Sequence, residues 1–60
     1  MDVFEVLLLA YDEKITDLTE SVSSGSCQTI DEYRDVTGQI KGLQVASREV
    51  RSLQQRALED

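Results

Sequence analysis

Four carboxylates, Asp12, Glu13, Asp17 and Glu20, crowd one short stretch of the chain. Hard oxygen donors of this kind suit a divalent cation. Their spacing is also that of an ordinary solvated helix face, which is the expectation here, so no metal ion is assigned. Cys27 is the sole thiol and histidine is absent. The Ser-His and Cys-His nucleophile pairs, and the usual general base, therefore cannot be assembled. One thiol cannot close a zinc site, which takes about four N or S ligands, and it cannot form a disulfide within the chain. Cys27 is expected to pack as a small apolar residue in a turn. Ser24-Gly25-Ser26 is not followed by the Gly-Lys-Ser/Thr of a phosphate-binding loop. A small helical fold also offers no pocket of substrate size. The expectation is a protein that is not an enzyme, with no cofactor and no small-molecule substrate.

Charge narrows the partner class. Twelve acids against six basic residues leave a net charge of -6, which argues against nucleic acid as the main ligand, since a phosphate backbone attracts clustered Lys and Arg. No apolar run approaches the roughly 20 residues needed to cross a bilayer. The opening Met1-Asp2-Val3-Phe4-Glu5 lacks the positive region of a signal peptide. A lone cysteine suits a reducing compartment. These features lead us to expect a chain made in the cytoplasm that does not span a membrane.

Two segments must position whatever the chain presents. Proline is absent, and the only cluster of helix breakers is Ser23-Ser24-Gly25-Ser26. The first segment opens on Asp2 and Glu5, the spacing of a capping box. Its apolar residues fall at Met1, Phe4, Leu8, Tyr11, Ile15, Leu18 and Val22, an alternation of three and four that defines a coiled-coil seam. Gly25 follows, where a left-handed residue would end a helix. The second segment opens on Thr29 and Glu32, again a capping-box spacing. Its stripe runs Tyr33, Val36, Ile40, Leu43, Ala46, Val50, Leu53 and Ala57, with one break from heptad rhythm at Ala46 that suits a nearly straight helix. The sequence predicts a single all-α unit over 1–60: helix 1 at about 2–23, a turn at about 24–29 and helix 2 at about 30–58.

A connection this short makes the helices antiparallel neighbours. Centring the turn at Gly25 and Ser26 sets Leu18 level with Tyr33, Ile15 with Val36, Tyr11 with Ile40, Leu8 with Leu43 and Met1 with Val50. Apolar then meets apolar at every level of a coiled-coil-like, antiparallel two-helix hairpin. Residues 1–28 hold six acids and one lysine, net -5, whereas residues 34–56 hold five basic residues and two acids, net +3. Opposite charges flanking the seam orient the pair, although each exposed ion pair contributes only about 0–1 kcal/mol.

Three features ask for something outside the hairpin. Val3, Leu7 and Ala10 form a second stripe beside the first seam, and Val6 and Leu9 point elsewhere again. A helix that is apolar most of the way round is buried on several sides. Leu53, Ala57 and Leu58 continue the second stripe on a tail of about ten residues, some 15 Å at helical rise, that helix 1 is not expected to reach. Gly38, Gly42 and Ala46 stand four apart, and each mid-helix glycine costs about 1 kcal/mol relative to alanine. Such a row lets a second helix, either helix 1 or a neighbouring chain, approach closely. The hairpin is therefore expected to be completed by oligomerisation or by docking on a larger protein, through Val3, Val6, Leu7, Leu9, Ala10, Gly38, Gly42, Leu53, Ala57 and Leu58. A homodimeric four-helix bundle acting as a regulatory or adaptor protein is the alternative form of the same expectation.

Ser24-Gly25-Ser26-Cys27, Asp31-Glu32-Tyr33 and Gly38-Gln39-Ile40-Lys41-Gly42-Leu43 with Ala46 resemble small helical-hairpin proteins of short-tailed bacteriophages. In those phages such proteins are encoded among the head, portal and packaging genes. The likeness covers most of the chain in layout, but the residues that carry it occupy 24–46. It implies a non-catalytic component of the virion or of head assembly, present in many copies against portal, neck or capsid proteins. On that resemblance the protein resides in the virion after synthesis in the host cytoplasm.

Overall fold

The computed structural model describes residues 1–59. It is an all-helical hairpin of α1 (Val3–Ser23) and α2 (Ile30–Glu59), packed against each other with no strand among the described residues. Both helices start where side chains satisfy their free amides. Asp2 Oδ1 accepts from the Glu5 amide at 2.9 Å. Thr29 Oγ1 accepts from the Glu32 amide at 3.1 Å, and Glu32 Oε2 reaches back to the Gln28 amide at 2.7 Å. That is a capping box whose return bond falls one residue before the cap.

The end of α1 is equally determined. Gly25 adopts φ +80°, the Ser26 amide donates to the Ser21 carbonyl at 3.1 Å and the Gly25 amide to the Val22 carbonyl at 3.3 Å. Two nested bonds around a left-handed glycine make a Schellman motif, which stops the helix and satisfies its last carbonyls. Beyond it, residues 26–28 have no regular secondary structure, and the half-buried thiol Cys27 lies in this connection.

The connection sets a register different from the expected one. Lys14, Asp17 and Leu18 line one open depression with Gln39, Gly42 and Leu43. Asp12 and Ile15 line another with Gln44, Ser47, Arg48 and Arg51. Leu18 therefore sits level with Leu43 rather than Tyr33, and Ile15 with Ser47 rather than Val36. The displacement is about three helical turns along α2. Instead of closing tightly at Gly25, the chain runs back past the first turns of α2, and Ile30 and Tyr33 are left exposed.

The expected tail beyond Val50 consequently does not project. Met1, Glu5, Leu8 and Leu9 share a depression with Arg51, so α1 reaches the far end of α2. The longest dimension of the molecule is 48 Å, scarcely more than the roughly 45 Å of a 30-residue helix.

The seam of α1 is as expected at Phe4, Leu8, Tyr11, Ile15, Leu18 and Val22, all half-buried. Met1 is exposed because it precedes the cap and lies outside the helix. On α2 the buried and half-buried positions are Val36, Thr37, Ile40, Leu43, Ala46, Ser47, Val50 and Gln54, and all of these except Thr37 and Ala46 fall in unbroken heptad rhythm. The apparent break at Ala46 came from choosing an apolar residue over its polar neighbour: Ser47 is the seam residue, 4 % exposed, and Val50 is 9 % exposed. Ala46, Leu53 and Ala57 stand to one side of it.

Ser47 Oγ is buried without a hydrogen-bond partner. A buried unpaired hydroxyl costs about 1–3 kcal/mol, and alanine is the better helix former. Ser47→Ala is expected to stabilise the hairpin by about 1 kcal/mol or more in denaturant melts. Gly25→Ala, forced into the left-handed region, is expected to destabilise it by about 1–2 kcal/mol.

Candidate interaction surface

A heptad seam hides one stripe of each helix, and here that stripe is thin. Val50 is the only buried hydrophobic residue among those described. Thickness explains this: the backbone spans 48 × 18 × 11 Å, a single layer of two helices with a broad face on either side. Globular domains bury such faces against a second layer.

The two broad faces differ in chemistry. On one, the groove between the helices is bordered by Glu5 and Asp12 of α1 and by Arg48 and Arg51 of α2. Leu9 lies on this side, beside Met1 and Arg51. The other face carries Lys14 and Asp17 on α1 and Gln39 and Gly42 on α2. Helical period extends these rows along the same side of the seam. From Lys14 the row on α1 continues through Ala10, Leu7 and Val3; from Gln39 and Gly42 the row on α2 continues through Ala46, Leu53 and Ala57.

The register then decides what these rows do together. With α1 shifted about three turns along α2, Leu7 comes level with Leu53 and Val3 with Ala57. Val3 is 65 %, Leu7 37 % and Leu53 52 % exposed, while Ala10 and Ala46 are half-buried at the base between them. Two stripes that the sequence suggests as separate docking elements, one on helix 1 and one on a tail, come to lie on the same broad face, with Glu49, Ser52 and Arg56 beside Leu53. They occupy the half of the hairpin away from the connection.

The remaining candidates are not part of those stripes. Val6 is exposed on the outer side of α1. Leu58 is exposed at the last turn of α2, on the seam side, beside the start of α1. Gly38 faces outward from α2, and a Cβ added at Gly38 or Gly42 would meet nothing within 4 Å. Close approach of α1 therefore does not explain either glycine, although Gly42 borders the groove on the Leu7 and Leu53 side. Ser47 was missed by an apolar count; stepping 40, 43, 47, 50, 54 in unbroken heptad rhythm would have found it.

No described helix is long and apolar enough to cross a membrane. Among the described residues no three of His, Cys, Asp and Glu gather into a group able to hold a metal ion. No protein-family model, curated protein or solved structure matches the chain.

Open space at both glycines has a measurable consequence. In the isolated chain Gly38→Ala and Gly42→Ala are each expected to raise stability by about 1 kcal/mol through helix propensity alone. Thermal melts followed by circular dichroism check this; a loss of stability at either site would mean that its backbone is closely approached.

Proposed function

We propose that the chain is a non-enzymatic structural subunit that works by docking an apolar helical face onto protein. The observation that carries this reading is the exposure of Val3, Leu7 and Leu53, which helical period places with Ala10, Ala46 and Ala57 on one broad face. Leaving a Leu or Val fully exposed forfeits roughly 1.5–3 kcal/mol of burial. Several such residues together rival the entire stability of a small domain, about 5 kcal/mol. Helix faces of this kind are recognised by apolar grooves or by other helices.

The setting we propose is a bacteriophage particle or its head and neck assembly, with portal, neck or capsid proteins as partners. Support for that setting comes from the resemblance of residues 24–46 to the small hairpin proteins of short-tailed phages. A second reading keeps the docking face but places it in a small homodimeric regulator or adaptor. The surplus apolar residues on one broad face, which two stacked hairpins would cover, favour it. An RNA-binding version would rely on Arg34, Lys41, Arg48, Arg51 and Arg56, with acidic α1 lying alongside, and would show steep salt dependence.

Virion purification separates these readings. A structural subunit is expected to co-purify with intact particles at fixed stoichiometry and to survive high-salt washing, because apolar docking is not screened. Leu7→Glu and Leu53→Glu should each abolish incorporation while Leu9→Glu does not. Recovery of the chain only in the free soluble fraction of infected cells would rule out the particle setting.

A further inference from the structure

α1 lies on a track longer than itself. It has 21 residues against the 30 of α2, so its whole length can be matched with nine residues of α2 to spare. In the observed register the surplus is at the near end. The first turns of α1 reach Arg51, and Tyr33, in the seam stripe at the start of α2, is 50 % exposed. The opposite limit leaves the surplus at the far end, with Leu18 beside Tyr33, Ile15 beside Val36 and Tyr11 beside Ile40. Apolar meets apolar in both limits, which lie about three turns, some 15 Å, apart.

No polar contact locks one limit against the other. Among the described residues every side-chain hydrogen bond joins residues at most four apart, and none crosses from α1 to α2. The connection is divided in the same way. Gly25 and Ser26 are bonded back to the end of α1, whereas Gln28 and Thr29 are bonded forward to Glu32 in the first turn of α2. Cys27 is the joint between the two capped ends. Its neighbours can keep their bonds while the helices move. Residues 24–29 reach about 20 Å when extended, enough for a run back of about 13 Å across an interaxial gap of about 8–10 Å. Residues 25–28 alone have the length of a tight αα turn.

We propose that the hairpin is a sliding device, in which α1 shifts along α2 between these two limits. Sliding would assemble and dismantle the face that carries Leu7 and Leu53. Only the observed limit sets those two residues level. In the other limit Tyr33 enters the seam, and Val50 and Leu53 are left on an overhang. A partner that binds the Leu7 and Leu53 side then selects the observed limit; that consequence rests on the docking reading above, and the slide itself does not.

The test is a pulsed electron-spin distance measurement on the full chain carrying Cys27→Ser, Glu13→Cys and Glu49→Cys, with a nitroxide on each new thiol. Both glutamates are exposed, and the observed register sets them level. Dilution with unlabelled Cys27→Ser chain restricts the signal to distances within one hairpin. Two populations are expected, a short one and one offset along the helices by about 15 Å. Val50→Glu, which charges the buried residue of the observed seam, should shift the balance to the longer distance. Tyr33→Glu, at a site now exposed, should remove the longer distance and keep the helical signal in circular dichroism. A single short distance in the parent chain would overturn the slide and leave docking in place. Two distances whose balance ignores Tyr33→Glu would also overturn it, since Tyr33 would then not enter a seam. Two distances that respond as expected, in a chain whose incorporation is indifferent to Leu7→Glu, would uphold the slide and remove its link to docking.

Discussion

Two helices side by side share one seam, and one seam is all that this hairpin can bury by itself. Val50 and Ser47 lie at its centre, where the middle of α1 crosses α2, and burial falls away in both directions. A domain of about 60 residues is marginal even when its core is compact. Here the backbone radius of gyration is 14.2 Å, against about 10 Å for a compact chain of this length. The missing layer is the constraint from which the remaining features follow.

The connection turns that constraint into a specific surface. Gly25 closes a Schellman motif and ends α1 at Ser23, after which residues 24–29 must reach the start of α2. Because they run back past its first turns, α1 sits against the later part of α2. Leu7 and Leu53 therefore share a level, and Val3, Ala10, Ala46 and Ala57 gather around them. The same register brings Asp12 beside Arg48 and Arg51 on the opposite face. A tighter turn would have buried Tyr33, left Leu53 on an overhang and divided the apolar surface in two.

Local chemistry made the helices legible in advance, and long-range geometry was harder to read. Asp2, Thr29 and Gly25 mark helix ends through hydrogen bonds confined to a few residues, and the α1 seam from Phe4 to Val22 follows from period alone. Register is different in kind. A heptad pattern repeats, so sliding one helix by a heptad plus one three-residue step of the seam again sets apolar residues opposite apolar residues, and the seam cannot distinguish Leu18 beside Tyr33 from Leu18 beside Leu43. Only the path of residues 24–29 separates them. Ser47 was obscured for another reason: a polar residue in the seam is invisible to an apolar count, and Ala46 beside it is an adequate decoy. The individual members of the candidate surface were visible as surplus apolar residues, but which of them join into one face depended on the register.

Exposed apolar area and a bare single layer both mean that folding should be coupled to association, and that coupling can be measured directly. The most direct test is the melting temperature of the purified chain across a thousandfold range of concentration, since binding of folded chains to one another makes Tm concentration-dependent. The account predicts a Tm that climbs steadily with concentration and a helical signal largely lost at the dilute end. A high Tm that stays constant over the whole range would contradict it.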